Sequence, residues 1–196
     1  MTTSQIAKEL GFTHVAHYTA MSQDPGSNYF NLISKTGKID TPEKTGKHNF
    51  EFEEYNNEKQ VFLALVDEKY LDKQKHYGSV VLLFDLTLLD KRVDYFINTV
   101  FTGMYSVETG AQPSDSDEHK RAIMQTILKN EYRNEVVFQN AIDLRTDPLV
   151  KIVLLGGSQQ SRSAMCVKLA KYYNPSYANY NLKLTPGADG ITVNRV

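Results

Sequence analysis

The chain has 196 residues, of which 41% are hydrophobic and 23% are charged, as in an ordinary soluble globular protein. This length suits one domain, or one domain with an appendage, and it can bury a core without disulfide or metal staples. The formal net charge is −1, so the totals indicate no strongly basic binding face, although they allow a local patch. The single cysteine, Cys166, excludes an intrachain disulfide and a cysteine-based metal site.

Three further features bear on the compartment. No stretch reaches the roughly 18–20 apolar residues that span a bilayer. The first residues, Met1–Gln5, lack the basic-then-apolar pattern of a signal peptide, and a lone cysteine fits a reducing environment. We therefore expect a cytoplasmic protein that does not enter a membrane; delivery into another cell stays open.

The first quarter of the chain predicts short elements followed by a long polar loop. Thr3–Leu10 has the pattern of a short helix that Gly11 ends, and Phe12–Thr19 has the pattern of a short strand. Asn28–Ser34 fits a helical turn. We interpret the polar segment Lys38–Tyr55 as a loop, and a loop of this length is typical of a lid or a binding loop.

The next segments carry the clearest strand signals. Gln60–Val66 and Gly78–Leu86 are continuous apolar runs, which predict buried strands. The polar segment between them, Asp67–Lys75, predicts a short helix that carries Tyr70. In Leu88–Val100 the apolar residues recur at helical spacing, so we predict a helix there.

The third part of the chain predicts a loop, a helix and two strands. Met104–His119 is a second long polar loop, and Glu118–Asn130 has one apolar helical face. The apolar run that begins at Glu135 predicts a buried strand. Leu149–Leu155 predicts either another strand or the continuation of that one.

The C-terminal part predicts one helix and a tail. Ser158 is a suitable N-cap for a helix to about Tyr173, and Asn174–Val196 reads as an irregular tail with one possible strand at Tyr180–Leu184. Five or six strands, clustered rather than alternating with three or four helices, favour an α+β fold. We predict a core over residues 1–155, with residues 156–196 as a helix and irregular tail packed on it.

Most motifs that could carry chemistry are weak. Gly156-Gly157-Ser158 before a helix can seat a phosphate on backbone N–H groups, but it lacks P-loop or dinucleotide spacing, so a plain helix start is the better interpretation. Cys166 has no catalytic motif around it and fits a core position. The histidines lack metal-ligand spacing, so we expect no metal site. They are His14, His17, His48, His76 and His119.

Glu135 stands apart because a carboxylate heads a strongly apolar strand pattern. The pattern runs through Phe138 and continues at Ala141–Leu144. Taken alone, such a glutamate is most often a solvated residue at the mouth of a strand, because Glu is almost never buried without a partner. The alternative is a catalytic carboxylate that the fold holds in a cleft.

Several stretches of the chain decide between these alternatives when they are taken together. In order they are Ala16–Thr19 with Asn31–Ile33 and Gly37, Val61–Ala64 with Asp67–Tyr70, Val80–Leu86, and Asn134–Phe138 with Ala141–Leu144. This order resembles the ADP-ribosyltransferase superfamily, in its His-Tyr-Glu branch of poly(ADP-ribose) polymerases and diphtheria toxin. Tyr18 stands where the family usually has glycine, a variation that resembles small bacterial or phage toxin-type members.

The resemblance implies an α+β fold with a split β-sheet core and flanking short helices, and NAD as the substrate. The family reaction breaks the bond between nicotinamide and ribose through an oxocarbenium-like transition state, as in glycoside cleavage. By this resemblance Glu135 is the catalytic carboxylate, which stabilises the developing positive charge and hydrogen-bonds the ribose 2′-hydroxyl.

The resemblance also implies which residues bind NAD. It assigns the adenosine-side ribose to His17, with Tyr18 and Thr19 beside it. Thr19 approaches NAD through its backbone or supports the histidine. It assigns the nicotinamide ring to an aromatic side chain, since an aromatic face suits a flat cationic ring. Tyr70 fits that role, and Tyr77 is a rival for it.

We therefore expect a mono-ADP-ribosyltransferase that transfers ADP-ribose to a macromolecular acceptor, either protein or nucleic acid. The chain is short for a polymerase with regulatory modules, so a toxin, defence or effector protein with an antitoxin or immunity partner fits better. Two alternatives stay open. One is an NAD glycohydrolase on the same fold, and the other is a non-catalytic binding module.

Overall fold

The computed structural model describes residues 1–19, 29–45, 59–98, 110–129 and 134–196. Within these ranges the helices are α1 (Thr3–Glu9), α2 (Tyr29–Thr36), α3 (Pro42–Thr45), a 3₁₀ helix (Glu68–Tyr77), α4 (Leu88–Lys91), α5 (Asp117–Lys129) and α6 (Gln159–Ala178). The strands are β1 (His14–Thr19), β2 (Lys38–Ile39), β3 (Val61–Val66), β4 (Val80–Asp85), β5 (Tyr95–Asn98), β6 (Glu135–Phe138), β7 (Ile142–Asp143), β8 (Leu149–Leu154), β9 (Leu182–Pro186) and β10 (Gly190–Arg195). None of the helices in these ranges is long and apolar enough to cross a membrane.

The chain divides into two compact units, each assembled from three separate stretches. The first unit consists of Met1–Val15, Ile39–Lys69 and Leu86–Ile142. The second unit consists of Ala16–Lys38, Tyr70–Asp85 and Asp143–Val196. Strand β1 passes from one unit to the other, so each unit contains part of it.

The first unit is built on strands in the order β5-β6-β3, followed by the first residues of β1. Strand β6 is central and antiparallel to both neighbours: Val136 pairs with Leu63 of β3 and with Ile97 of β5. Val136, Val137 and Phe138 are all buried, so both faces of the sheet are covered at this strand. Helix α1 packs on both α4 and α5, and α5 also packs on β5.

An ion pair between Arg92 and Asp94, here called the Arg92–Asp94 clasp, hydrogen-bonds the segment that follows β6. The Arg92 guanidinium donates two hydrogen bonds of 2.6 Å to the Asp94 carboxylate and one of 3.2 Å to the Ala141 carbonyl. Asn140 donates to the same carboxylate at 2.8 Å, and the guanidinium lies 5.4 Å from the centre of the Phe138 ring. Burial acts to raise the pKa of Asp94, but these hydrogen bonds outweigh it and hold that pKa below its usual value.

We expect Asp94→Asn to lower the free energy of unfolding by about 1–2 kcal/mol at pH 7, because a bidentate charge-assisted pair is lost. An acid whose folded pKa is depressed contributes its stability above its unfolded pKa, about 3.9 for Asp, and loses it as the pH falls through the folded pKa. The difference from wild type in urea unfolding should therefore shrink below about pH 4. Asp189→Asn, which breaks the exposed single-contact pair with Arg162, should change stability by less than about 0.5 kcal/mol. A loss at Asp94 that persists unchanged at pH 2–3 would contradict this account.

The second unit continues from the last residues of β1 through β4, β8, β10 and β9 in that order. The β4–β8, β8–β10 and β10–β9 pairings are antiparallel. Along β9, Leu182 and Leu184 are buried while Lys183 and Thr185 are exposed, which is the alternation of a strand covered on one face. Helix α6 packs against β9 and β10 and provides that cover.

An asparagine from α6 occupies the outer edge of β9. The Leu184 N–H donates to Asn174 Oδ1 at 2.8 Å, and Asn174 Nδ2 donates to the Leu184 carbonyl at 3.0 Å. Pro186, the last residue of the strand, has no N–H to offer. The edge is therefore blocked against pairing with another strand.

Helix α6 also fixes α2. The Tyr173 hydroxyl donates to Asn31 Oδ1 at 3.1 Å, and the buried Tyr177 hydroxyl hydrogen-bonds with Ser34 at 3.4 Å. These contacts explain why the helix continues to Ala178 through Pro175, although an interior proline costs about 3 kcal/mol. The tyrosines beyond the expected helix end bury large aromatic surfaces in the unit.

The end of β1 packs directly on the backbone of Gly78. A Cβ atom at Gly78 would lie 2.3 Å from the Thr19 carbonyl oxygen and 2.7 Å from its nitrogen. Real Cβ atoms do not approach backbone atoms so closely, so only glycine fits here. Thr19 itself is buried, and its position depends on this contact.

We expect Gly78→Ala to destabilise the protein by roughly 1–3 kcal/mol, because backbone must move to admit the methyl group. The matched control is Gly187→Ala in the same unit, where the nearest atom to the new Cβ is the Gly190 carbonyl oxygen at 3.2 Å. That change should cost less than about 1 kcal/mol. Equal shifts in urea-unfolding midpoint for the two variants would contradict the close approach at Thr19.

The α+β prediction is confirmed. Eight strands lie in the two orders given above, their described pairings are antiparallel, and several helices accompany them. Helices α1 and α5 and strands β1, β3, β4 and β8 lie where the sequence predicts them. The predicted helix before β4 is a 3₁₀ helix. The N-cap of α1 is Thr2, one residue before the predicted start.

Three predictions of local structure are wrong. The predicted helix at Leu88–Val100 is the short helix α4 and then strand β5; Val93, expected on its buried face, is 82% exposed. The predicted irregular tail is the β9–β10 hairpin, which buries Leu182 and Leu184 on α6; the possible strand at Tyr180–Leu184 overlaps β9, and β10 was not predicted. The predicted loop Lys38–Tyr55 begins with β2 and α3, and its residues 46–58 lie outside the described ranges, as do residues 104–109 of the other loop.

Candidate active site

Glu135 is the first residue of β6 and is half-buried. Its backbone pairs with Asn98 of β5. Because side chains alternate along a strand, Glu135 lies on the same sheet face as Val137. Phe62 of β3 lies directly opposite Val137 and is half-buried on that face. Glu135 therefore shares that face of the sheet with these two apolar side chains.

Asn134, one residue before β6, fixes the position at which the strand begins. Its Oδ1 accepts a hydrogen bond of 2.7 Å from the Leu65 N–H, and its Nδ2 donates to the Leu65 carbonyl. The β3–β6 pairing extends backward from Leu63 opposite Val136, so Leu65 is where a further residue of β6 would pair. The side-chain amide of Asn134 thus takes the place of a backbone peptide in the ladder.

The strand that carries Glu135 is consequently held at both ends. Asn134 holds its beginning to β3, and the Arg92–Asp94 clasp holds Asn140 and Ala141 after its end. Terminal residues of strands ordinarily fray. Here hydrogen bonds on both sides restrict that motion, which suits a group that must meet a substrate in one geometry.

The three predicted NAD-binding residues of β1 do not share one face. Strand alternation places His17 and Thr19 on one side and Tyr18 on the other. The half-buried His17 ring meets Tyr29 of α2 edge-on, with ring centres 5.9 Å apart. Since the tyrosines of α6 fix α2, the C-terminal segment contributes indirectly to the setting of His17.

Tyr18 is directed at the 3₁₀ helix. Its hydroxyl donates to the Leu71 carbonyl at 3.3 Å. Burial raises the pKa of Tyr18, and the negative charge of Asp72 adds to the rise, so the phenol remains a neutral donor. Its side chain therefore has a packing role in this structure, and contact with NAD stays a prediction.

Thr19 ends β1 with its side chain 3% exposed. Its Oγ1 has no hydrogen-bond partner among the described residues. A buried unsatisfied hydroxyl costs about 1–3 kcal/mol, so such groups call for an explanation. A polar ligand group at the end of β1 would provide the missing partner, whereas the resemblance predicts that Thr19 approaches NAD through its backbone or supports His17.

The two candidate stacking tyrosines lie on the 3₁₀ helix. Tyr70 is 57% exposed, so an aromatic face is accessible there. The Tyr77 side chain lies outside what the structure describes, and the choice between the two stays open. Both belong to the second unit together with His17 and Thr19, whereas Glu135 belongs to the first.

The sequence marks Asn134 only as part of the Glu135 motif, and its hydrogen bonds to Leu65 were not predicted. Its two hydrogen bonds reach Leu65, 69 positions away, and no local pattern reveals that register. The available signal was an asparagine directly before a β-branched apolar run, where a side-chain amide can replace a ladder peptide. As for metals, no group of three or more His, Cys, Asp or Glu side chains comes together within the described stretches.

We expect Tyr18→Phe to lower the free energy of unfolding by about 0.5–1.5 kcal/mol, because the Leu71 carbonyl loses its donor. The same variant should keep its affinity for NAD within about twofold, a difference of about 0.4 kcal/mol, because the hydroxyl is engaged within the protein. Thermal unfolding and NAD titration of the two proteins provide the measurements. A loss of NAD affinity beyond tenfold without a stability change would contradict this placement and favour a direct contact.

Comparison with known proteins adds no relative to this picture. No protein-family model matches the chain, and no curated protein or solved structure matches it either. The resemblance to ADP-ribosyltransferases therefore depends on the residues themselves.

Proposed function

We propose that the protein is an NAD-dependent mono-ADP-ribosyltransferase in which Glu135 is the catalytic carboxylate. The observation that carries the proposal is the placement of Glu135. It is half-buried at the head of β6, on a strand fastened on both sides. A solvent-exposed glutamate at the end of a strand would need no such support. The order of the histidine, tyrosine and glutamate motifs along the chain supports the same assignment.

The reaction breaks the bond between the nicotinamide nitrogen and C1′ of the ribose. The bonding electron pair leaves with nicotinamide, which departs as a neutral molecule, and positive charge develops on the ribose. The Glu135 carboxylate stabilises that charge and accepts a hydrogen bond from the 2′-hydroxyl. A nucleophile of the acceptor then bonds to C1′ and loses its proton. An apolar setting increases the effect of the carboxylate.

By the resemblance, residues of β1 and of the 3₁₀ helix are proposed to bind NAD. His17 hydrogen-bonds the adenosine-side ribose, and Thr19 offers its buried hydroxyl or its backbone. Tyr70, exposed on the 3₁₀ helix, stacks on the nicotinamide ring, with Tyr77 as the alternative. The proposed fold is the split β-sheet of the family, with the catalytic core in residues 1–155 and an appended segment in residues 156–196.

We further propose that ADP-ribose passes to a macromolecule in the cytosol, and that the protein is a toxin, defence or effector protein neutralised by an antitoxin or immunity partner. Protein and nucleic acid both remain open as acceptors. If water is the acceptor, the same site makes an NAD glycohydrolase. A non-catalytic binding module would keep the fold without turnover.

The test is nicotinamide release from NAD in the presence of cell lysate. We expect Glu135→Gln to lower the turnover number about 10²–10³-fold, because the transition state loses its carboxylate. Glu118→Gln is the matched control, since Glu118 is an exposed acid of α5 in the same unit, and it should retain wild-type turnover. His17→Ala should raise KM for NAD.

The fate of label from NAD separates the candidate functions. Label on macromolecules that protease removes and nuclease does not indicates a protein acceptor, and the reverse indicates a nucleic acid. Free nicotinamide without label transfer indicates hydrolysis. Absence of NAD turnover in wild type and Glu135→Gln alike would overturn the assignment as an enzyme.

A further inference from the structure

We propose that Asn134 is the positioning residue of Glu135: its carboxamide holds the catalytic carboxylate in register without touching the substrate. This inference rests on the proposed function and extends it to a residue with no chemical role of its own. Its basis is the pair of hydrogen bonds from Asn134 to both backbone groups of Leu65.

The pair of bonds is specific to a carboxamide. Leu65 presents one N–H donor and one carbonyl acceptor, and the Asn134 side chain presents one acceptor and one donor in the complementary order. Aspartate at this position would keep the acceptor but face the Leu65 carbonyl with a second oxygen. Alanine would leave both groups of Leu65 without this partner.

The two Asn134–Leu65 hydrogen bonds, here called the clamp, restrain Glu135 because they hold the residue directly before it. Backbone pairing at Val136 fixes the residue after Glu135, and the clamp fixes the residue before it. Glu135 is the first residue of β6 and pairs with Asn98 of β5. Without the clamp, the residue before it is no longer held to β3, so this end of the strand can fray. A shift of register by one residue would turn its side chain to the opposite face of the sheet. Displacing a catalytic group by about 1 Å can cost about 10²-fold in rate.

The chain contains a matched control. Asn174 makes the same two hydrogen bonds to the backbone of Leu184. That clamp lies in the second unit at the edge of β9 and has no catalytic neighbour in the proposed site. Comparing Asn134→Ala with Asn174→Ala therefore separates the loss of a carboxamide clamp in general from the loss of the clamp beside Glu135.

The experiment measures kcat and KM for nicotinamide release, together with urea unfolding, for the wild type, Glu135→Gln and the two alanine variants. We expect Asn134→Ala to lower kcat about 10–100-fold with KM for NAD within about twofold, because positioning affects the transition state more than binding. Asn174→Ala should keep kcat within about twofold even if both variants unfold at lower urea concentrations. In Asn134→Ala the Leu65 amide hydrogen should exchange about tenfold faster.

Asn134→Asp provides a second test of the clamp. The substitution keeps an acceptor for the Leu65 N–H but turns a carboxylate oxygen toward the Leu65 carbonyl, so one of the two hydrogen bonds is lost. Its kcat should fall by at least about fivefold with KM for NAD within about twofold, whereas Asn174→Asp should keep kcat within about twofold. This variant also keeps the inference testable if Asn134→Ala fails to fold.

The outcomes distinguish the inference from the proposed function. If Glu135→Gln abolishes turnover but both alanine variants and Asn134→Asp keep wild-type kcat, Asn134 has no positioning role and the proposed function stands. If the wild type does not turn over NAD, both the function and the positioning role are overturned. Equal losses of kcat in Asn134→Ala and Asn174→Ala also overturn the inference.

Discussion

The two hydrogen bonds between the Asn134 carboxamide and the backbone of Leu65 are the interaction on which the candidate site depends. They extend the β3–β6 ladder by one position with a side chain in place of a peptide. The backbone of residue 134 is therefore not required to continue the strand, while Glu135 remains a full member of it. A carboxylate at a strand end is ordinarily among the least constrained groups in a sheet. Here it is one of the more constrained, which is the condition for electrostatic preorganisation.

The fold around that strand was partly predictable. The apolar runs at Val61–Val66 and Val80–Asp85 indicate buried strands, because short continuous apolar runs between polar segments fit strands that are covered on both faces. Strand β5 was not predictable, because the apolar spacing in Leu88–Val100 fits a helix equally well. Its strand conformation comes from pairing with β6, a contact of tertiary origin. Strand β10 and its pairing with β9 were not predicted for a related reason, since α6 had to extend beyond Pro175 to bury Leu182 and Leu184.

Motif order and residue type select His17 and Glu135 as candidate site residues, and their roles stay predictions. Sequence order alone did not show that Tyr18 turns its hydroxyl to Leu71, although strand alternation separates it from His17. It also did not show the support of Asn134, whose partner is 69 residues distant. Long-range register decides both, and a single sequence carries little information about it.

The central claim is that Glu135 is held in place to act on the nicotinamide-side ribose of NAD. The most direct measurement is a crystal structure of the protein with an NAD analogue whose nicotinamide–ribose bond cannot be cleaved. The account predicts the 2′-hydroxyl of that ribose within hydrogen-bonding distance of the Glu135 carboxylate, with the Asn134–Leu65 bonds intact. An analogue bound with this ribose away from Glu135, or no bound analogue at saturating concentration, would contradict it.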